Sequence, residues 1–222
     1  MFETAARIKP LLVALDDEVP LTEPVTIDKL IELTKRFTSF SDIRLVPMGK
    51  SRSIAGSHVA FPEANMVVIF FRACLGHPIG EPNRECPTCR DARFFIAKEL
   101  SHAFDGDDER TPPGDAEEML LKETLAGSYS GKQAQADLLG SMWAVEMLFR
   151  YHNRVSITGD GTFPAQAQLT ASRTSGDYSY FAKQFCVPVV VAELGLRDNV
   201  LASMKALRKY VGLPLFHYQP GN

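Results

Sequence analysis

Two pairs of metal-grade side chains, Cys74 with His77 and Cys86 with Cys89, stand in the spacing C-x2-H-x8-C-x2-C. A two-residue gap lets both members of a pair converge on one ion, and the glycine and prolines between the pairs permit tight turns. The spacing predicts a structural zinc knuckle within residues 72–90, a stretch with no periodic element. Its competitors are a redox or incidental Cys86–Cys89 pair and unrelated loop residues. The compartment decides between zinc and a disulfide. Four cysteines in 222 residues are too few for a disulfide scaffold, and Met1-Phe2-Glu3-Thr4 lacks the basic and apolar regions of a signal peptide. A reducing cytoplasm is therefore the expected setting, and zinc the expected occupant. Cys186, in an apolar helix, is expected in the core.

The rest is organised by periodicity. Apolar residues are 45% and charged residues 23%, enough to bury a core, and a net charge of −3 gives no basic field for nucleic acid or an anionic membrane. No apolar run approaches the roughly 18 residues of a membrane span. The first 25 residues give no firm element. Asp28 is expected to cap a helix with Leu30, Ile31, Leu33 and Phe37 at helical spacing. Strands are expected over 42–47, 53–61 and 66–71, with Gly56 a bulge and the third strand buried on both faces. Their tight turns predict a small antiparallel sheet.

A helix over 91–104 follows, with Asp91 as N-cap and Phe94, Phe95, Leu100 and Phe104 on its buried side. Residues 105–118 hold seven acids against one arginine and read as a solvated acidic loop. Helices are expected over 116–128 and 132–151, the second a core helix around Trp143 and Met147. Residues 156–177, rich in Gly, Ser and Thr, read as a linker. Three short helices, over 178–185, 188–194 and 200–210, end the chain. The expected division is 1–155 for the main domain and 156–222 for linker and helical subdomain.

The stretch Arg93-Phe94-Phe95-Ile96-Ala97-Lys98-Glu99-Leu100-Ser101-His102 carries the chemistry. On a helix, Glu99 and His102 stand where a zincin keeps its general base and second histidine. The first histidine is replaced by Lys98, whose ammonium has no lone pair for a metal. His58 and His152 read as isolated structural histidines, and Arg197, Lys205, Arg208 and Lys209 as a modest basic patch.

This stretch resembles the R-F-x-x-A-H-E-L-G-H signature of the ImmA/IrrE family of bacterial and phage metallopeptidases, with Lys98 and Ser101 as departures. Upstream, residues 42–71 resemble the family's sheet. Downstream, Gln135-Ala136-Asp137-Leu138-Leu139 is similar to its E-x-x-A-[N/D]-x-F-A helix, and residues 180–188 to a segment of its helix-turn-helix-like subdomain. The resemblance covers about residues 26–195 in order, and the Cys/His knuckle is an insertion to it. It implies an α+β, zincin-like minimal metallopeptidase fold with a C-terminal helical, helix-turn-helix-like subdomain. The family's acidic ligand falls near Gln133 or Gln135, both uncharged.

Two readings follow from the resemblance. In the first, the zinc site is degraded and the chain is a pseudopeptidase that binds a protein or peptide partner, such as a transcriptional regulator. Lys98 then stands in the cleft against a carboxylate of Glu118, Glu123 or Asp137, or else extends to solvent, and His102 is a neutral hydrogen-bond partner. In the second, an active zinc endopeptidase recruits His102 with Glu118, Glu123 or Asp137 and uses Glu99 as base. Nucleic acid is the lesser option as a partner, and a membrane is not expected.

Overall fold

A computed structural model of the chain describes residues 2–49, 56–74, 76–79, 83–105, 132–159 and 163–215. The fold is α+β. Helix α1 (Phe2–Glu18) occupies the stretch that periodicity left blank, with Ala5, Ile8, Leu11, Leu12 and Leu15 buried at helical spacing and Pro10 on the exposed side. Pro10 hid it, because proline removes one helical hydrogen bond. Helix α2 (Ile27–Phe37) is capped by Thr26, whose side chain accepts from the Lys29 N–H at 3.1 Å. Asp28 sits in the first turn and is not the cap.

Strands β1 (Asp42–Met48), β2 (Gly56–Phe61) and β3 (Met66–Arg72) form one sheet in the order β1-β3-β2. The sheet is mixed, not antiparallel. β2 and β3 form a hairpin with Phe61 opposite Met66, whereas β1 runs parallel to β3 with Ile43 opposite Val67. Stretch 49–65, which contains β2, supplies the long connection a parallel pair requires. Asn65, at φ 47°, closes the hairpin, and its carbonyl accepts from both Ser41 and Asp42 N–H at the start of β1. Burial along β3 alternates, with Val67, Ile69 and Phe71 inward, so the strand is covered on one face rather than both.

Helix α3 (Pro87–Ser101) starts four residues earlier than its periodicity suggests. Cys86 is its N-cap and Pro87 its first residue, a position where the missing N–H costs nothing. The helix is buried almost all round, and a 3-10 turn, His102–Phe104, follows it. It lies against β2 and β3 on one side and α4 (Lys132–Leu148) on another. The expected 132–151 helix breaks after Leu148, and α5 (Tyr151–Thr158) begins after Arg150, whose ψ of 147° is not helical. The expected linker contains helix α6 (Phe163–Ser175).

Helices α7 (Ser179–Phe185), α8 (Val189–Gly195) and α9 (Asp198–Tyr210) match the three expected at the end. Cys186 is buried, as expected, but it ends α7 in the left-handed conformation at φ 54° instead of lying inside it. One buried apolar cluster runs from Ala5 to Leu213. Buried Arg93 stitches it, donating from Nε to the Cys186 carbonyl at 3.2 Å and from Nη2 to that of Val25 at 2.6 Å. Arg208 is 1% exposed and belongs to the interior, not to a basic surface patch.

Candidate functional site

Both groups of residues that carry chemistry are mounted on α3, one at each end. At the C-terminal end, Lys98 and Glu99 are 2% and 3% exposed. The Lys98 Nζ lies 3.8 Å from Glu99 Oε1, and His58 Nδ1 lies 2.7 Å from Glu99 Oε2. Lys98 therefore does not extend to solvent. His58 was missed because its neighbours in sequence carry no chemistry. Its signal is the strand alternation, which puts Gly56, His58 and Ala60 on one face. Gly56 is not a bulge but a site of close approach. A Cβ there would stand 3.1 Å from Phe95 Cβ and 3.5 Å from Glu99 Cγ, so glycine admits α3 to β2.

One turn along, His102 Nδ1 lies 2.6 Å from Asp105 Oδ2, and Asp105 Oδ1 accepts from the Thr4 hydroxyl of α1 at 2.9 Å. The rings of His58 and His102 lie 5.0 Å apart, 18° from parallel. Asp105, which the sequence placed at the start of an acidic loop, is thus a partner of His102. Asp137 lies in α4, three residues before Gly140, with its side chain outside the described residues. Gln133 and Gln135 have the same standing, and Glu118 and Glu123 lie outside the described residues altogether.

Burial alone would raise the Glu99 carboxyl, but the His58 bond and the Lys98 charge outweigh it, so its pKa falls below the ordinary carboxylate range. Burial likewise lowers His102, and the Asp105 bond and Glu99 charge reverse this, lifting it above the ordinary histidine value. Asp105 and Glu99 therefore both act on His102 in the direction that stabilises its protonated form. The result is a cluster in which acidic and basic side chains alternate, from Lys98 and Glu99 to His102 and Asp105. Among the described residues, no three ligand atoms at this end of α3 gather as a metal site would require.

Gly140 of α4 completes the enclosure. A Cβ there would lie 3.1 Å from both Cε1 and Nε2 of His102 and 3.3 Å from Ser101 Oγ. His102 is held by Asp105 and the His58 ring, so it has little room to yield. On an open helix, glycine to alanine gains about 1 kcal/mol. Gly140→Ala is instead expected to lose about 1 kcal/mol, overpacking outweighing propensity. The sign of the change in a urea titration decides it.

At the N-terminal end, Cys74 follows β3 and His77 lies in the next turn, while Cys86 and Cys89 open α3. The Asn83 side-chain carbonyl accepts from the Glu85 and Cys86 N–H groups at 3.1 and 3.0 Å, turning the chain into the helix. Cys74 Sγ lies 3.3 Å from His77 Nδ1 and 3.6 Å from Cys86 Sγ, and Cys89 Sγ lies 3.5 Å from His77 Nδ1. All four ligand atoms fall within 4.8 Å of one another, a group within metal-binding distance.

Bonds of about 2.3 Å to sulfur and 2.0–2.1 Å to nitrogen would place tetrahedral ligands about 3.5–3.8 Å apart. Three of the separations, 3.3, 3.5 and 3.6 Å, lie close to that geometry, and the whole group stays within 4.8 Å. The Cys89 N–H bond, with the neighbouring thiols and His77, brings the Cys86 thiol down to about 7. Burial and the nearby sulfurs push Cys89 up to about 12. Crowded thiols resist sharing negative charge, and a divalent cation removes that resistance.

No family model matches the chain, and neither does any curated protein. No helix among the described residues is long and apolar enough to cross a membrane.

Proposed function

We propose that the chain is a zincin-like protein of the ImmA/IrrE type whose catalytic zinc site is degraded. It acts as a regulatory module that binds a protein or peptide partner, such as a transcriptional regulator, in the cytoplasm. The observation that carries this reading is the buried Lys98 ammonium beside Glu99, where the resemblance expects the first zinc-ligating histidine. A cation fixed to the chain then replaces one that would polarise water, and Glu99 spends its carboxylate on Lys98 and His58. The structural metal in this reading is zinc, held by Cys74, His77, Cys86 and Cys89, which joins β3 to the start of α3.

The test is metal content with the ion located by anomalous scattering. About one zinc per chain is expected at the Cys/His group, unaffected by His102→Ala, with chelation loosening the start of α3 first in hydrogen exchange. Protein that is reduced, reconstituted and still free of zinc would end the structural-zinc reading.

One observation favours the active-endopeptidase reading. His58 and His102 each present Nδ1 to a carboxylate, as metal-ligating histidines commonly do. Chelator-sensitive proteolysis abolished by Glu99→Gln would put that reading in place of the first.

A further inference from the structure

We infer that the Cys/His group is a thiol switch, in which a hydroperoxide oxidises Cys74 and Cys86 to a disulfide and expels the metal. The inference rests on the zinc reading above and names how that site is regulated. Its basis is an asymmetry among the four ligands. Cys74 and Cys86 are both half-buried with their sulfurs 3.6 Å apart, whereas Cys89 is buried at 4% exposure. Cys186, the fourth cysteine, is fully buried and stands apart from the ligand group. A disulfide needs about 2.05 Å between sulfurs, so the pair must close by about 1.5 Å, within the reach of modest side-chain rotation.

The reaction balances with one peroxide. The Cys86 thiolate attacks one peroxide oxygen and breaks the O–O bond, giving a sulfenic acid and, as the leaving oxygen takes up a proton, water from hydrogen peroxide or an alcohol from an organic hydroperoxide. The Cys74 thiolate then attacks the Cys86 sulfur and displaces hydroxide, which a second proton converts to water. Two thiolates have lost two electrons, and the peroxide has gained them. His77 and Cys89 remain, short of the three or four protein ligands that hold zinc.

The choice of pair has a structural consequence. A Cys86–Cys89 bond would lie within one turn and leave β3 unconnected to α3. A Cys74–Cys86 bond joins the end of β3 to the N-cap of α3, the same junction that zinc spans. Oxidation therefore exchanges one staple for another. The ion leaves, and the helix carrying Lys98, Glu99 and His102 stays anchored.

The test uses the full chain, reduced and loaded with zinc, with zinc binding measured before any peroxide is added. Equimolar hydrogen peroxide is then added, freed zinc is read with a chromogenic chelator, and the protein is unfolded, alkylated and mapped by mass spectrometry. Release of about one equivalent of zinc is expected, with Cys89 and Cys186 alkylated and Cys74 joined to Cys86. Thiol reductant with added zinc should restore the starting state. Failure to bind zinc at the first step overturns the zinc reading and the switch with it. Bound zinc that survives peroxide overturns the switch alone. Release with a Cys86–Cys89 bond or a sulfinic acid overturns the assigned pair.

Discussion

Glu146→Gln is expected to cost about 3–5 kcal/mol, a fall in melting temperature of roughly 6–20 °C for a chain of this size. Glu146 of α4 is 1% exposed and carries two guanidinium groups. One oxygen takes Arg154 of α5, and the other takes Arg208 of α9 at 3.1 Å. Arg208 continues to Asp16 of α1 at 2.9 Å, where His152 Nε2 also sits at 2.9 Å. Burial alone would raise Asp16, but the His152 and Arg208 bonds hold it below the ordinary carboxylate range.

Burial and the like charge of Arg208 bring Arg154 down to about 9, which leaves it cationic at neutral pH. The glutamine keeps the shape and removes the charge, so two buried cations lose their shared counterion. The Tyr151 ring, 5.9 and 5.1 Å from the two guanidinium carbons, does not replace a carboxylate. The control is Glu32→Gln, in the solvent-screened Glu18–Lys29–Glu32–Arg36 cluster, where a much smaller loss is expected. Equal losses for the two variants in urea titrations would show that burial does not set the value of these pairs.

Sequence periodicity located the elements that bury a clean stripe and missed those that do not. Helix α2, the three strands and helices α7 to α9 were legible because apolar spacing and turn residues agreed. Helix α1 was not, since Pro10 interrupts its pattern on the exposed face. The parallel pairing of β1 with β3 was not legible either, because alternation specifies a face and says nothing of a partner's direction. At the site, C-x2-H-x8-C-x2-C and the position of Glu99 and His102 were local in sequence and could be read directly. The partners His58 and Gly140 stand about 40 residues from the groups they meet, on a strand and a helix that only the fold brings to α3. A lone histidine two residues from a glycine on a strand was the one trace of the former. Gly140 left no trace, since a glycine in a helical pattern gives no hint of which ring it admits.

Lys98→Met should prove as costly as the loss of Glu146, about 3 kcal/mol or more, because it leaves the Glu99 carboxylate buried beside an apolar side chain. A lysine whose stem merely lay along the surface would cost no more than about 0.5 kcal/mol, and a Lys98 exposure of 2% argues against that outcome. The pH profile separates a charge effect from lost packing. In the parent, Glu99 titrates below its ordinary value, so it contributes stability above that value and loses it as the pH falls through the folded pKa. Methionine removes the Lys98 charge that helps hold this pKa down, while burial, which raises it, remains. The deficit of Lys98→Met should therefore shrink as the pH is lowered and Glu99 takes up a proton. A deficit that stays constant from neutral to acidic pH would mean that Lys98 serves as packing, and that its charge does not stand in for a metal. Lys98→His makes the complementary case. It restores the first histidine of the motif, yet Gln133 and Gln135 still supply no carboxylate, so no zinc-dependent peptidase activity is expected. Robust chelator-sensitive cleavage by that single variant would mean that a third ligand is already present and that the site is one substitution away from activity.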